Sequence, residues 1–329
     1  MKYDIVTLGE CLIDFTPHGF SEAGQPLYER NPGGAPVNVA AALSKLGRKA
    51  AFVGKVGSDP FGDYLNEALR SYGISVQGLV TTAEAHTTMA FVHLDETGDR
   101  SFHFCRQPGA DQLLQFEDVE PSLLENTAIF HFGSISMTSE PACGATLQSV
   151  RRAKSRGAMI SYDPNWRPSL WKDTDQARKT IQAGLALADV VKVSEEELRF
   201  LTGEEELATG AAQLIEQYSI SLLLVTAGPR GAYYRTEKLW GGVASFPVKV
   251  VDTTGAGDGF LGAFLYQLLE QKKPIPGWSE EDLFKSVAFA NAAGALATTR
   301  KGAIPSLAGP DEIHELLSAH HEMKEMYNS

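Results

Sequence analysis

The stretch 252-DTTGAGDGF-260 decides how this chain is read. It follows the apolar run VKVV. After it, apolar residues fall at Phe260, Leu261, Phe264, Leu265, Leu268 and Leu269, the spacing of one buried helix face. Gly255, Ala256 and Gly257 are therefore expected where a strand turns into a helix. The first amides of a helix have no partner within it and attract anions, and residues this small leave an anion's approach open. Asp258 then adds a negative charge at the same place. Phosphoryl transfer needs both features together: positive potential where charge gathers on the moving group, and a base at the attacking hydroxyl.

Outward from this turn, short β-branched runs alternate with helical patterns. The segments 4–9, 50–57, 128–133, 158–163, 189–194 and 221–228 read as buried strands; 36–46, 60–70, 139–156, 174–188 and 206–218 read as helices. Such alternation predicts an α/β fold, a doubly wound and mainly parallel sheet with helices on both faces. Ligands of such sheets bind beyond the carboxyl ends of the strands. Residues 11–30 and 87–106 break the pattern. The first reads as short strands around a turn, the second as a hairpin whose arms flank DETGD. They are expected to form a small β lid on an α/β domain of residues 1–10, 31–86 and 107–329.

A formal charge of −12 over 329 residues argues against nucleic acid or an anionic membrane as partner. Any phosphate site must then be built locally, from backbone dipoles and a few cations. Cys11, Cys105 and Cys143 form no CxxC pair, which fits reduced thiols and a cytoplasmic protein. Charges interrupt the N-terminal apolar stretch, so it is neither a secretion signal nor a membrane span. Other nucleotide motifs fail. In 47-GRKAAFVGKV-56, Val56 stands where a phosphate loop needs Ser or Thr, and GAGDG places Asp258 where a dinucleotide's pyrophosphate would pass.

A second constellation lies in 32-PGGAPVNVAAALSKLG-47. Gly33 and Gly34 open the backbone to a small polar ligand. Asn38, one turn into the next helix, can donate and accept as a sugar hydroxyl requires. Asp14, set among apolar residues in LIDF, needs partners that sugar hydroxyls could supply.

With GKVGSD, these two constellations resemble the two signatures of the ribokinase-like (phosphofructokinase-B type) sugar kinases, and the similarity runs from IVTLGE to TRKGAIPS. Within that family, 161-SYDPNWRPSLW-171 and GECLIDF are most similar to bacterial fructokinases. The resemblance implies an α/β domain with a lid often shared across a homodimer, and transfer of a phosphoryl group from ATP, with Mg²⁺, to a sugar hydroxymethyl group. It implies Asp258 as base and Gly255, Ala256 and Gly257 as anion hole. Asp14, Gly33, Gly34, Asn38, Arg106 and Arg167 would meet the substrate. Thr226, Gly228, Gly231 and Asn291 would hold the nucleotide. The family's Asn-x-x-Glu motif aligns with 194-SEEE-197: Glu197 would organise Mg²⁺ through water, while Ser194 replaces the asparagine and could still bond a phosphate. A K⁺ site is implied at Asp252 and the carbonyl of Thr254, completed near Ala297, Arg300, Gly302 and Ser306. D-fructose is the expected acceptor. A 2-keto-3-deoxygluconate kinase, a riboside kinase and a catalytically silent sugar sensor are the alternatives.

Overall fold

Ile5 and Val6 are neighbours in the chain but pack into different hydrophobic cores, as do Leu222 and Leu223. A strand covered on both faces produces that split, because successive side chains point to opposite sides. The computed structural model describes residues 2–94, 100–271 and 273–328. Its strands in chain order are β1 (Tyr3–Leu8), β2 (Leu12–Phe20), β3 (Pro26–Gly33), β4 (Ala50–Gly57), β5 (Ser75–Thr82), β6 (Met89–Leu94), β7 (Arg100–Cys105), β8 (Thr127–Gly133), β9 (Met159–Asp163), β10 (Val190–Ser194), β11 (Leu222–Thr226), β12 (Ala232–Arg235) and β13 (Trp240–Val243). Its helices are α1 (Ala35–Lys45), α2 (Pro60–Ser71), α3 (Pro121–Glu125), α4 (Ala142–Ser155), α5 (Thr174–Leu185), α6 (Glu195–Thr202), α7 (Leu207–Tyr218), α8 (Ala256–Glu270), α9 (Glu280–Ala297) and α10 (Pro310–Asn328).

The large sheet has the order β13-β12-β11-β10-β9-β8-β1-β4-β5. It is parallel except where β11 meets β12 and β12 meets β13. Helices α1, α2, α8, α9 and α10 bury Val37, Leu65, Phe264, Leu283 and Ile313 against one face. Val150, Ile181, Leu198 and Leu214 bring α4, α5, α6 and α7 onto the other. From β1 the chain moves one way through β4 and β5, then returns to lay β8, β9, β10 and β11 on the opposite side. Strand order therefore reverses between β1 and β8, the place where ligands of such sheets bind. The expected doubly wound, mainly parallel fold is observed.

The six runs expected to be strands are β1, β4, β8, β9, β10 and β11. The run VKVV corrects the expectation: it joins no sheet, and Val250 and Val251 stay exposed. The amides of Val251 and Asp252 are anchored here, both on the Thr298 carbonyl. Val248 and Val250 flank a groove, as described below, and Val248 also packs against the core.

Residues 12–33 and 89–105 supply a second sheet, in the order β3-β2-β6-β7. Phe15 stacks on Phe91 at 4.9 Å and meets the edge of Phe61 on α2 at 5.9 Å, which seats this sheet on the larger body. The turn DETGD, residues 95–99, lies outside the described residues. Among those described, no helix is long and apolar enough to cross a membrane.

Candidate active site

Helix α8 starts at the turn singled out above, and no side chain caps it. Gly255 takes φ 75°, and a Cβ there would stand 2.9 Å from the Cβ of Ala303, so only glycine fits. Asp252 fixes the approach. Its Oδ1 accepts from the Thr254 amide at 2.7 Å and its Oδ2 from the Gly302 amide at 3.0 Å. Behind the turn, the alanine-rich helix α9 comes so near that a Cβ on Gly294 would lie 3.2 Å from the Ala256 carbonyl. Asp258 follows in the first turn, buried, with its Oδ2 accepting from Asn38 Nδ2 at 2.8 Å.

A cavity of about 340 Å³ extends from this turn, lined at one end by Asp14, Gly34, Asn38 and Arg167. Gly33 makes room for the Asp14 carboxylate: a Cβ there would stand 2.1 Å from Asp14 Oδ2. Burial pushes the Asp14 carboxyl up to about 7; the charge of Asp258 adds to this and Arg167 opposes it. Burial also raises Asp258, against the Asn38 hydrogen bond and the cations Lys192 and Arg167. Glu10 lines the same wall, pushed up to about 7 by burial against hydrogen bonds from backbone amides. Its Oε1 accepts from the Ala35 amide at 2.9 Å and so holds the start of α1.

The other end of this cavity is built by β9, β10 and α6. Lys192 Nζ lies 2.9 Å from Asp163 Oδ2, and both side chains are buried. Burial raises Asp163 and Lys192 opposes the rise. The lysine is itself opposed by burial, but Asp163 and Glu197 more than offset this and hold its proton. Its Nζ sits 3.2 Å from where a Cβ on Gly257 would stand, so the cation lies beside this turn and lines the same cavity. Glu197 bridges two strand ends: Oε2 accepts from the Ser194 amide at 2.7 Å and Oε1 from the Trp166 amide at 2.8 Å.

A second cavity, of about 480 Å³, approaches the turn from the other side and is lined by Thr226, Gly228, Gly231, Phe246, Val250 and Asn291. Asn291 Nδ2 donates to the carbonyls of Val243 at 2.8 Å and Ala244 at 3.2 Å, which holds the loop walling this groove. Thr253 and Gly257 line both cavities. The turn is thus the wall between an apolar groove of nucleotide size and a polar pocket of sugar size.

Most residues singled out in the sequence meet here, and Arg106 is the correction. Arg106 does not line either cavity. Its guanidinium is buried on Asp111 at 2.6 Å, Thr138 Oγ1 at 2.9 Å and the Ile135 carbonyl at 3.0 Å, so it braces the Ile135 segment that does line the pocket. Ser194 lines the pocket, but its Oγ accepts from the Glu197 amide at 3.1 Å as a helix cap. The Arg300 guanidinium pairs with Glu312. The carbonyl that meets segment 251–252 is that of Thr298, one residue beyond Ala297. Ser306 Oγ donates to the Ala303 carbonyl at 2.8 Å. Lys192, Asp163, Asn165 and Glu10 were missed as site residues. A charge inside an apolar strand run, as in VVKVS, was the available signal for the first.

A carboxylate beside an uncapped helix start, at the junction of a nucleotide-sized groove and a polar pocket, is what a phosphotransferase with an alcohol acceptor requires. Residues 2–308 match the model of the pfkB family carbohydrate kinases. The chain is 45% identical over 315 residues to Fructokinase-1 of Zea mays, covering 95% of this chain and 97% of that one. Its fold is similar to that of the Xylella fastidiosa fructokinase with bound ATP, with a TM-score of 0.89, 36% identity and coverage of 98% and 100%. A double-mutant Vibrio cholerae O395 fructokinase, in a fructose-, ADP- and potassium-bound form, superposes with a TM-score of 0.87 at 36% identity, covering 96% and 99%. The chain belongs to the pfkB family of carbohydrate kinases.

Proposed function

We propose that this chain transfers the γ-phosphoryl group of ATP to the C6 hydroxyl of D-fructose. The observation that carries the reading is the wall shared by the two cavities, where uncapped amides and Asp258 face one point. Asp258 accepts the hydroxyl proton, and the amides of residues 255–257 together with Lys192 receive the charge gathering on the phosphoryl oxygens. Asp14, Asn38 and Arg167 orient the sugar; Thr226, Gly228, Gly231 and Asn291 shape the nucleotide groove. Fructose kinases dominate the similar proteins above, and the pocket's chemistry agrees with a neutral acceptor. Asp14, Asp258 and Glu10 surround its sugar end, where the carboxylate of keto-deoxygluconate would meet three acidic side chains.

Glu197 suits Mg²⁺ held through water. Two amides fix its carboxylate, each oxygen keeps a lone pair, and Mg²⁺ prefers substrate phosphates plus one or two carboxylates. When bound, that ion neutralises phosphate charge. K⁺ is assigned to the 252–254 and 300–306 loops, which Asp252 joins. Exposed Phe20, Leu27 and Tyr28 on the second sheet support pairing of two copies through a lid, and three free thiols support a cytoplasmic enzyme. An ADP-coupled assay across fructose, keto-deoxygluconate, ribose and a purine riboside tests the assignment. Fructose is expected to give the highest kcat/KM; a higher value for any other acceptor would displace it.

A further inference from the structure

Asn165 is used by none of the steps above, although it lines the pocket and is only 7% exposed. Its backbone is left-handed, at φ 48°, a conformation asparagine adopts more readily than most non-glycine residues. The backbone on either side is pinned. The Asn165 amide donates to Asp163 Oδ1 at 3.2 Å, and the next amide, Trp166, donates to Glu197. Yet the Asn165 side-chain nitrogen, Nδ2, has no acceptor among the described residues. A buried amide donor without a partner is unfavourable, and an anionic oxygen is the acceptor that would relieve it most.

The neighbours say which end of the substrate pair it serves. Asp163, one bond from its backbone, holds Lys192 beside Gly257, and Glu197 is tied to the following residue. Lys192 and Glu197 line the same pocket as Gly257. Ser194, at the position where the family signature carries an asparagine, is short and turned back onto its own helix. We propose that the Asn165 side-chain amide donates to an oxygen of the γ-phosphoryl group, supplying from the end of β9 an amide that position 194 lacks. This rests on the kinase reading but not on the identity of the sugar.

The test separates the amide from the backbone it sits on. Asn165→Gly accepts φ 48° without strain and removes only the side chain; Asn165→Asp keeps the shape and replaces the donor with a negative charge. Calorimetry would compare ADP with β,γ-methylene ATP, both with Mg²⁺ and without sugar. For Asn165→Gly, affinity for the methylene analogue is expected to fall on the order of tenfold while that for ADP stays within twofold. Asn165→Asp is expected to lose more. In turnover, kcat of Asn165→Gly should fall at least tenfold with the sugar KM unchanged. Adding Ser194→Asn, which keeps a good helix cap, should recover part of it. Wild-type discrimination between the two nucleotides in Asn165→Gly, or equal weakening of both, would overturn the proposal. A wild-type enzyme that ignores fructose while Asn165→Gly loses the analogue selectively would sink the sugar assignment and uphold Asn165.

Discussion

Two helices open onto the same pocket and treat their first amides in opposite ways. At α6 the Ser194 hydroxyl accepts from the Glu197 amide, and Glu197 returns a bond to the Ser194 amide, a reciprocal cap. At α8 the capping position is held by Gly255 and no side chain caps the helix. Both helices bury apolar residues in the core, so neither depends on its cap alone to exist. The contrast shows where the fold holds itself together and where it leaves donors for a ligand. Capped amides mark structure; the uncapped ones in the cavity wall are those to which the proposed mechanism gives the phosphoryl charge.

The largest effect belongs to the uncapped helix. Asp258→Asn can still accept from Asn38, so the fold should persist while turnover drops roughly 10²–10⁴-fold. An unchanged rate in the coupled assay, with an unchanged melting temperature, would remove α8 from the chemistry. Next comes the pH dependence. Burial raises both Asp258 and Asp14, and Arg167 opposes the rise in each. In Arg167→Gln both carboxyls should rise further, so the base stays protonated to a higher pH. The acid limb of the kcat/KM profile is therefore expected to move to higher pH, with severalfold more loss at pH 6 than at pH 8.5. A limb that stays put would show that Arg167 acts on substrate alone. The smallest effect is at the capped helix. Ser194→Ala removes the cap, worth about 1 kcal/mol, and should lower the melting temperature by about 1–2 °C. If thermal scans showed no change, the cap would not be the reason for serine here.

The parts of this site legible in the sequence are those whose chemistry is local. The central strands are buried on both faces and so appear as unbroken apolar runs, and the small residues of the α8 turn sit side by side in the chain. Asp14 stood out because a carboxylate in LIDF has no local partner. What the sequence hides is partnership across strands. Lys192 and Asp163 are 29 residues apart and meet only because β10 lies beside β9 in parallel. Arg106 was misplaced for a related reason. Its position after a hairpin suggests a lid residue, but Asp111, five residues on, turns it inward. The exposure of Val250 and Val251 could not be read either, since an apolar run beside a groove has the composition of a strand.

The two amide bonds of Glu197 have a mechanical consequence. By fastening the end of β9 to the end of β10, they make the floor of the pocket a single stiff shelf. Any narrowing around a bound sugar must then be carried by the four-stranded sheet above it, which brings Leu12, Asp14 and Phe104 to the pocket. That sheet joins the larger body through four short chain crossings, before β2, after β3, before β6 and after β7. Those crossings are where stiffening the backbone would slow opening and closing without touching a reacting atom.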